Sequence, residues 1–255
     1  MPEFLQRHAW ADEIVIMDSG STDGTLDICR QAGCRIISRD HQGNHNERFR
    51  HVMAQVPCDW VFLVDPDEFI TDGLKAEVLA VLEQGTPHSA FRNKRINFFM
   101  SHALRAKAFN DDTLKFFRRD KVDFSGTGYH EEIKVNGSVG QFKGEVHHFP
   151  HTHIHWMIAK HNYISEFDKA GYLKTQGVLS NGKFMWFVLV KPFKTFIKTY
   201  IKKGGYKDGV YGFTFALITW AQDVLKICKY WEEYIEKNPK ALKKDRIPDP
   251  WRQRV

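Results

Sequence analysis

The chain has 255 residues, of which 42% are hydrophobic and 27% are charged. A chain of this length and composition can bury a sizeable core, which excludes a wholly disordered protein. Its formal net charge of +6 at pH 7 favours acidic partners, namely nucleotide phosphates, nucleic acid or an anionic membrane surface.

The first part of the chain has the pattern of a βαβ unit. The apolar run that ends at Asp18 predicts a strand buried on both faces, and residues 19–24 form a turn of small and capping residues. A helix from about Thr25 to Ala32 follows, with Gly33 as its stop, and residues 34–38 predict a second strand. Strand and helix therefore alternate from the start of the chain.

The same alternation continues to about residue 85 and then stops. We predict a helix over 47–55, a buried strand over 59–64 and a helix over 74–82, which together indicate an α/β domain with a mostly parallel sheet. Short β-like segments follow at 91–98, 113–118 and 132–135. From residue 155 onward the chain is basic, aromatic and mainly helical in pattern.

Carboxylates follow two of the predicted strands directly. Asp18 ends the first strand and Asp65 follows the strand over 59–64, so both would face the crevice at the carboxyl ends of the strands. A simpler interpretation is that each aspartate caps the turn after it. Asp65, Asp67 and Glu68 lie within four residues and repel one another unless a positive group sits among them. Mg²⁺ or Mn²⁺ bound to a diphosphate would supply this positive charge. A solvated turn with no bound cation is the weaker alternative.

Two segments resemble known sequences. Residues 10–25, WADEIVIMDSGSTDGT, resemble the nucleotide-binding segment of family 2 glycosyltransferases, and residues 59–69, DWVFLVDPDEF, resemble their DxD-containing strand. The nearest subgroup is that of bacterial enzymes that extend the lipopolysaccharide core or similar surface glycans. The resemblance implies a GT-A fold, a Rossmann-like α/β domain that binds a sugar carried on a nucleoside diphosphate. We therefore predict a GT-A catalytic domain over 1–155 and a helical region over 156–255.

The resemblance also implies roles for individual residues. Asp18 and Ser19 would lie at the base and ribose, Asp65 near the ribose or the metal, and Asp67 would be the principal metal ligand. Many relatives have a second Asp where this chain has Ser19. Relatives also begin with an apolar strand and an Asn-Glu turn ahead of the WADE element, and we expect that strand to be absent, because only residues 1–8 precede the element.

Basic residues near these segments offer a further contact to the donor. Arg48 and Arg50 come shortly before the acidic strand, and Arg118 and Arg119 follow an apolar segment. Arginine suits phosphate recognition. Arg48 is our candidate for a diphosphate contact, although a solvated helix face or an exposed strand end is the commoner reason for such residues.

Residues 126–135 carry the candidate catalytic base. An inverting transferase needs a base that takes the proton from the acceptor hydroxyl, and relatives carry a His-Glu pair at this place. We assign Glu131 as the base, with His130 and Glu132 behind it. Glu132 could instead lie on the solvent side of a strand.

Histidines are most frequent between residues 147 and 155. In an extended segment His151, His153 and His155 would share one face and could converge on a metal. Histidines bonded to the backbone are the simpler interpretation, and we favour it for the cluster. His148 is the exception, because relatives carry a His near it and some GT-A enzymes use a His as an additional metal ligand.

The C-terminal region has the pattern of a helix at a membrane surface. Residues 183–207 contain seven Lys and no acid, and Phe193, Phe196, Ile197, Tyr200 and Ile201 recur at helical spacing. Such a helix suits an anionic membrane surface, although a core-packed helix with a solvated lysine face has the same pattern. No nucleic-acid-binding motif is present.

The location of the protein follows from three absences in the sequence. Residues 1–10 lack the apolar core of a secretory signal, and the apolar stretch over 213–221 is too short to span a bilayer. The four cysteines show neither a CxxC pair nor zinc-ribbon spacing, which favours reduced thiols. We therefore expect a cytoplasmic protein that is peripheral on the inner face of the cytoplasmic membrane.

The leading hypothesis is a glycosyltransferase that uses Mg²⁺ or Mn²⁺. It would pass a sugar from a nucleotide-diphosphate donor to a lipid-linked saccharide acceptor with inversion. A non-catalytic, membrane-peripheral relative that has lost donor binding is one alternative. A metal-dependent phosphohydrolase that uses the same carboxylates is the other.

Overall fold

The structure is a computed structural model that describes residues 1–38, 45–125, 132–176 and 181–237, apart from the side chains of 45, 132, 167–176 and 181. The chain forms two compact units. The first contains Met1–Arg105 and Asn110–Pro150, and the second contains Ala106–Phe109 and the residues from His151 onward.

The first unit opens with a short helix and the predicted βαβ unit. Helix α1 is Pro2–His8, followed by β1 (Val15–Asp18), α2 (Thr25–Gln31) and β2 (Arg35–Ser38). Strands β1 and β2 pair in parallel with Val15 opposite Arg35, which confirms the predicted pairing. Gly33 has a φ of +76° immediately after α2, the left-handed conformation that ends helices and that glycine adopts most readily. The predicted helix stop is confirmed.

A six-stranded sheet forms the centre of the first unit. The elements that follow β2 are α3 (His45–Met53), β3 (Trp60–Phe62), β4 (Glu68–Ile70), α4 (Asp72–Gln84), β5 (Ala90–Phe99), β6 (His102–Ala103), β7 (Asp111–Arg118), β8 (Val122–Ser125), β9 (Glu132–Val135) and β10 (Val139–His151). The order in the large sheet is β3-β7-β5-β10-β4, and β6 pairs with β5. Strands β8 and β9 form a separate antiparallel pair.

The α/β class is confirmed, but the parallel pairing is limited to β1 and β2 in the part of the chain that is described. The registers of β3 with β7, β5 with β7 and β4 with β10 are antiparallel. The strands after α4 follow one another without crossover helices, and antiparallel pairing is the arrangement that such short connections allow. Our prediction of a mostly parallel sheet extended the βαβ pattern beyond the segment that carries it.

Both faces of the large sheet are covered by apolar side chains. One cluster joins the buried residues Leu74 and Val78 of α4 to Phe91, Phe116 and Val146. A second cluster joins Phe49 of α3 to Ala90, Phe117 and Phe124. Gly144 permits a close approach of β10 to α4, because a Cβ there would lie 2.5 Å from the Leu74 Cα atom. The polar turns described below are thus attached to a closely packed core.

The second unit is helical. Helix α5 is Ile154–Gln176, α6 is Asn181–Met185, α7 is Lys191–Ile197 and α8 is Gly209–Lys237. Two π-helical segments, Trp186–Val190 and Lys198–Lys202, flank α7. Lys229 of α8 binds two residues of α5: its Nζ atom lies 2.6 Å from Glu166 Oε1 and 2.8 Å from Ser165 Oγ. None of the described helices combines the length and the apolar character needed to cross a membrane.

Candidate active site

The acidic segment predicted from the sequence forms a tight turn between β3 and β4. The Glu68 N–H donates to the Asp65 carbonyl at 2.9 Å, and the Asp65 N–H donates back to Glu68 Oε2 at 3.1 Å. Glu68 is fully buried, whereas the side chains of Asp65 and Asp67 are 52% and 39% exposed. The turn therefore keeps one carboxylate in the core and presents two near the surface.

Two basic side chains from neighbouring strands neutralise part of this turn. Lys115 Nζ, on β7, lies 2.8 Å from Asp65 Oδ2 and also contacts Glu68 Oε2. Arg95, on β5, reaches Glu68 Oε1 at 3.4 Å and binds Asp111 through two N–H groups. Burial alone would lower the pKa of Lys115, but the Glu68 and Asp65 carboxylates outweigh it and the pKa is raised. Lys115 is therefore a charged partner of both carboxylates at neutral pH.

Asp67 has a different partner, a histidine on β10. His148 Nε2 lies 3.5 Å from Asp67 Oδ2. The other ring nitrogen of His148, Nδ1, lies 2.5 Å from Asn97 Oδ1. Because an amide oxygen only accepts, the contact with Asn97 uses the Nδ1 proton of His148, and Nε2 is the ring atom that faces the Asp67 carboxylate. The β4–β10 pairing sets this geometry, since His148 lies opposite Glu68 in the register.

This donor set fits a divalent cation that is shared with a ligand. In the described part of the chain, no three His, Cys, Asp or Glu side chains converge as a closed metal site. Mg²⁺ takes only one or two carboxylates from a protein and completes its shell with phosphate oxygens and water. Asp67 with His148 provides that partial set. Asp65 is not counted in this set, because Lys115 already contacts its carboxylate.

Asp18, Ser19 and Arg48 come together in the first unit at the end of β1. Asp18 Oδ2 accepts from the Gly20 N–H at 2.9 Å and Oδ1 from the Ser21 N–H at 3.0 Å. The Ser21 side chain, together with these amides, holds the pKa of Asp18 below its usual value although burial opposes the shift. Arg48 of α3 is buried and donates from Nη1 to Ser19 Oγ at 2.7 Å. The alternative of a solvated helix face does not hold for Arg48, because its side chain is buried and its guanidinium contacts this turn.

The proposed base residues are only partly within the described chain. His130 and Glu131 lie outside the described residues. Glu132 begins β9 and lies opposite Ser125 in the pairing with β8, but its side chain is not described. Their assignment as the catalytic base stays a prediction.

The histidine cluster separates into two environments. Strand β10 ends at His151 and helix α5 begins at Ile154, so the extended segment that would align His151, His153 and His155 on one face ends at its first member. His151 is buried, and the other two are exposed. The shared face that the metal-binding alternative requires is therefore not formed, and that alternative is the one we did not favour.

Three functional candidates were missed at the sequence level, namely Lys115, Arg95 and Asn97. Lys115 lies 47 residues from Glu68 along the chain, and Asn97 lies 51 residues from His148. Only strand pairing brings such distant residues together. One signal was present: three adjacent carboxylates require positive partners, and a lysine or arginine within a buried strand was the place to look for them.

Comparisons with known proteins indicate the family of the chain. Residues 6–130 match the model of "Glycosyl transferase family 2". "Lipopolysaccharide core biosynthesis glycosyltransferase LpsC" of Rhizobium meliloti is 27% identical over 225 residues, covering 84% of this chain and 80% of the relative. An uncharacterized glycosyltransferase of Rickettsia felis is 25% identical over 219 residues, covering 78% of this chain and 75% of the relative. The matched segment contains the Asp18 turn, Arg48, the acidic turn and Lys115, and over residues 6–130 the chain is therefore a family 2 glycosyltransferase, with an α/β domain of the GT-A type.

Proposed function

We propose that the chain transfers a sugar from a nucleoside-diphosphate donor to a lipid-linked saccharide acceptor in surface-glycan synthesis, with inversion. The observation that carries the proposal is the pair formed by Asp67 and His148 at the acidic turn. The relative named for lipopolysaccharide core biosynthesis supports a saccharide acceptor of this kind.

The donor would be held by the Asp18 turn. The fixed carboxylate of Asp18 would accept a hydrogen bond from a ribose hydroxyl or from an N–H of the base, and Arg48 next to Ser19 would place positive charge near the diphosphate. Apolar side chains of β1 and of residues 61–64 lie in the same hydrophobic clusters, which supports a single site that includes Asp18 and the acidic turn. Asp65 would contact the ribose from its position against Lys115.

Asp67 and His148 would hold Mg²⁺ or Mn²⁺. When bound, the cation neutralises charge on the departing diphosphate. Asn97 keeps the ring of His148 oriented through its hydrogen bond to Nδ1. Glu131, with His130 and Glu132 behind it, is proposed to take the proton of the acceptor hydroxyl.

We further propose that the second unit binds an anionic membrane surface, on the cytoplasmic side. Five apolar residues around α6 and α7 are 38–57% exposed, and we call them the exposed stripe: Met185, Trp186, Leu189, Val190 and Phe193. The seven lysines over 183–207, with no acid among them, surround this stripe with positive charge. Apolar side chains bordered by lysine favour a surface of anionic lipid.

The exposed stripe differs in part from the face that the sequence predicted. Phe196 and Tyr200 stack on each other at 5.5 Å between ring centroids, and both also contact the ring of Phe213 on α8. These two rings therefore pack inside the second unit. Phe193 and Ile201 remain exposed, at 57% and 50%.

A donor screen tests the proposed activity directly. The protein would be incubated with a panel of labelled nucleotide sugars, Mn²⁺ and membrane extract that contains lipid-linked saccharides, and label in the lipid fraction would be measured. We expect transfer from one donor or a few related donors, and loss of transfer in Asp67→Ala. Leu79→Ser, on the exposed side of α4, is the control and should leave transfer unchanged.

Two results would count against the proposal. Release of free sugar without any transfer to lipid would favour the phosphohydrolase alternative. Absence of both transfer and nucleotide binding would favour a relative that has lost its donor site.

A further inference from the structure

Lys115 is a buried lysine in the centre of the large sheet. Its side chain is only 5% exposed, and it lies on β7 next to the fully apolar pair Phe116 and Phe117, both of which belong to the core. A buried ammonium group is costly unless it is paired. The position of Lys115 therefore requires a reason beyond packing.

The ammonium group of Lys115 contacts two carboxylates of the acidic turn at once. It lies 2.8 Å from Asp65 Oδ2 and also binds Glu68 Oε2. Glu68 Oε2 additionally accepts the Asp65 N–H, and Glu68 Oε1 faces Arg95 at 3.4 Å. Both carboxylate oxygens of Glu68 thus have partners within the protein.

This arrangement divides the acidic turn into two parts. Asp65 and Glu68 are neutralised by lysine and arginine, as a metal ion would otherwise neutralise them. Asp67 instead lies beside His148 Nε2, at 3.5 Å. The turn that the sequence marks as three equivalent acids therefore contains a structural pair and a separate carboxylate beside an imidazole.

We propose that Lys115 is the positioning residue of this turn: it takes the place of a metal ion at Asp65 and Glu68 and leaves Asp67 as the carboxylate that a cation shares. The ion-pair part of the proposal stands on the contacts alone. The cation part rests on the proposed function.

The proposal predicts opposite effects on cation and nucleotide binding when Lys115 loses its charge. In Lys115→Met, Asp65 loses its ammonium partner, so its half-exposed carboxylate becomes available to a cation, and one nearby positive charge is lost. Mn²⁺ alone should then bind about 10-fold more tightly, because Coulomb attraction near a protein surface is strong at these separations. UDP, GDP or ADP should bind more weakly in the presence of Mn²⁺, since the turn is displaced. If Lys115 had only a structural role, its replacement would weaken the binding of both Mn²⁺ and the nucleotide.

The first test is a double-mutant cycle read by thermal unfolding, which needs neither metal nor substrate. Glu68→Gln and Lys115→Met should each lower Tm by about 10 °C, since breaking one partner of a buried pair is strongly destabilising. The double variant Lys115→Met/Glu68→Gln should lose clearly less than the sum of the two. Additive losses would overturn the ion-pair part of the proposal.

The second test compares the two exposed aspartates, whose amide variants should fold whatever the fate of Lys115→Met. Mn²⁺ affinity would be measured by electron paramagnetic resonance, with and without UDP, GDP or ADP. Asp65→Asn should keep wild-type Mn²⁺ affinity within about twofold, whereas Asp67→Asn should lose more than about 10-fold. Lys115→Arg, which keeps the charge, should behave like the wild type.

Equal losses in Asp65→Asn and Asp67→Asn would overturn the proposed division of the turn. If the wild-type chain bound no Mn²⁺ under any of these conditions, the cation assignment of the proposed function would fail instead. The thermal cycle would still decide whether Lys115 pairs with Glu68.

Discussion

His148 Nε2 lies 3.5 Å from Asp67 Oδ2, while the opposite nitrogen of the same ring is held by Asn97 Oδ1. The contact of Nδ1 with Asn97 orients the ring, and a hydrogen-bond partner on the far nitrogen is what metal-binding histidines usually have. The two residues lie on adjacent antiparallel segments of one sheet, so their separation is set by backbone hydrogen bonds. The Phe149 N–H donates to the Asp67 carbonyl at 2.8 Å.

The first prediction concerns Asn97. Asn97→Ala removes the acceptor for His148 Nδ1, so the ring loses its fixed orientation and Mn²⁺ affinity should fall by about 10-fold. Asn97→Asp keeps an acceptor at the same place and should retain the wild-type affinity. Electron paramagnetic resonance titration of Mn²⁺ checks both variants. Equal affinity in Asn97→Ala and the wild type would show that the hydrogen bond does not position the ring.

The second prediction concerns Arg48. Its buried guanidinium lies against Ser19, so Arg48→Gln should raise the Kd for the nucleoside diphosphate by about 10-fold, the loss of one charge-assisted hydrogen bond. Arg50, on the exposed side of the same helix, is the matched control. Calorimetric titration with UDP, GDP or ADP in Mn²⁺ measures the difference. An equal effect of Arg50→Gln would mean that the general positive charge of α3 matters, and not the contact with Ser19.

The third prediction concerns the pH dependence of stability. The pKa of Asp18 is lowered from 3.8 by hydrogen bonds from the Ser21 side chain and nearby amides, so the folded state favours the carboxylate. The resulting stabilisation is complete above about pH 4 and is lost as the pH falls through the lowered pKa. Asp18→Asn should therefore have a lower free energy of unfolding at pH 6, with a shallower decline between pH 4 and pH 2.

Chemical denaturation at several pH values measures this difference. Asp12→Asn, at an exposed position in the loop before β1, is the control and should leave the pH profile unchanged. Parallel profiles for Asp18→Asn and the wild type would contradict the assignment of the acid-dependent stability to Asp18.

The fourth prediction concerns the exposed stripe. Leu189→Ser/Phe193→Ser should lower binding to vesicles of mixed anionic and neutral lipid by more than about 10-fold, because each apolar side chain contributes about 1.5–3 kcal/mol when fully transferred and about 1.4 kcal/mol already corresponds to tenfold. Leu79→Ser, equally apolar and 43% exposed in the first unit, is the control. Binding should also fall as the salt concentration rises, since lysines contribute to it. Vesicle binding that is insensitive to both changes would contradict the membrane proposal.

Much of the fold could be predicted wherever one short segment carries its own pattern. Strands β1 and β2 and helices α2 and α4 were expected from apolar runs, caps and helical spacing within a few residues. Strands β4 and β10 were not. Strand β4 is three residues long and begins with the charged residue Glu68, and β10 contains glycine, lysine and five polar positions that hide any alternation.

Only the site residues that lie in a recognisable local sequence pattern could be predicted. Asp18, Asp65 and Asp67 follow apolar strands and could be recognised. Their partners could not, because a lysine and an asparagine within strands have no distinctive local pattern, and only the pairing of distant strands gives them a role. The burial of Arg48 against Ser19, which excludes the alternative of a solvated helix face, likewise depends on a contact between distant segments.

Isothermal titration of the full chain with nucleoside diphosphates tests the central claim most directly. We predict that one of UDP, GDP or ADP binds to the wild type in Mn²⁺ and not in excess EDTA, and that Asp67→Asn lowers this affinity by more than about 10-fold, while its thermal stability stays close to that of the wild type. Nucleotide binding that is equally tight in EDTA, or unchanged in Asp67→Asn, would contradict the assignment of Asp67 and His148 to a cation-diphosphate site.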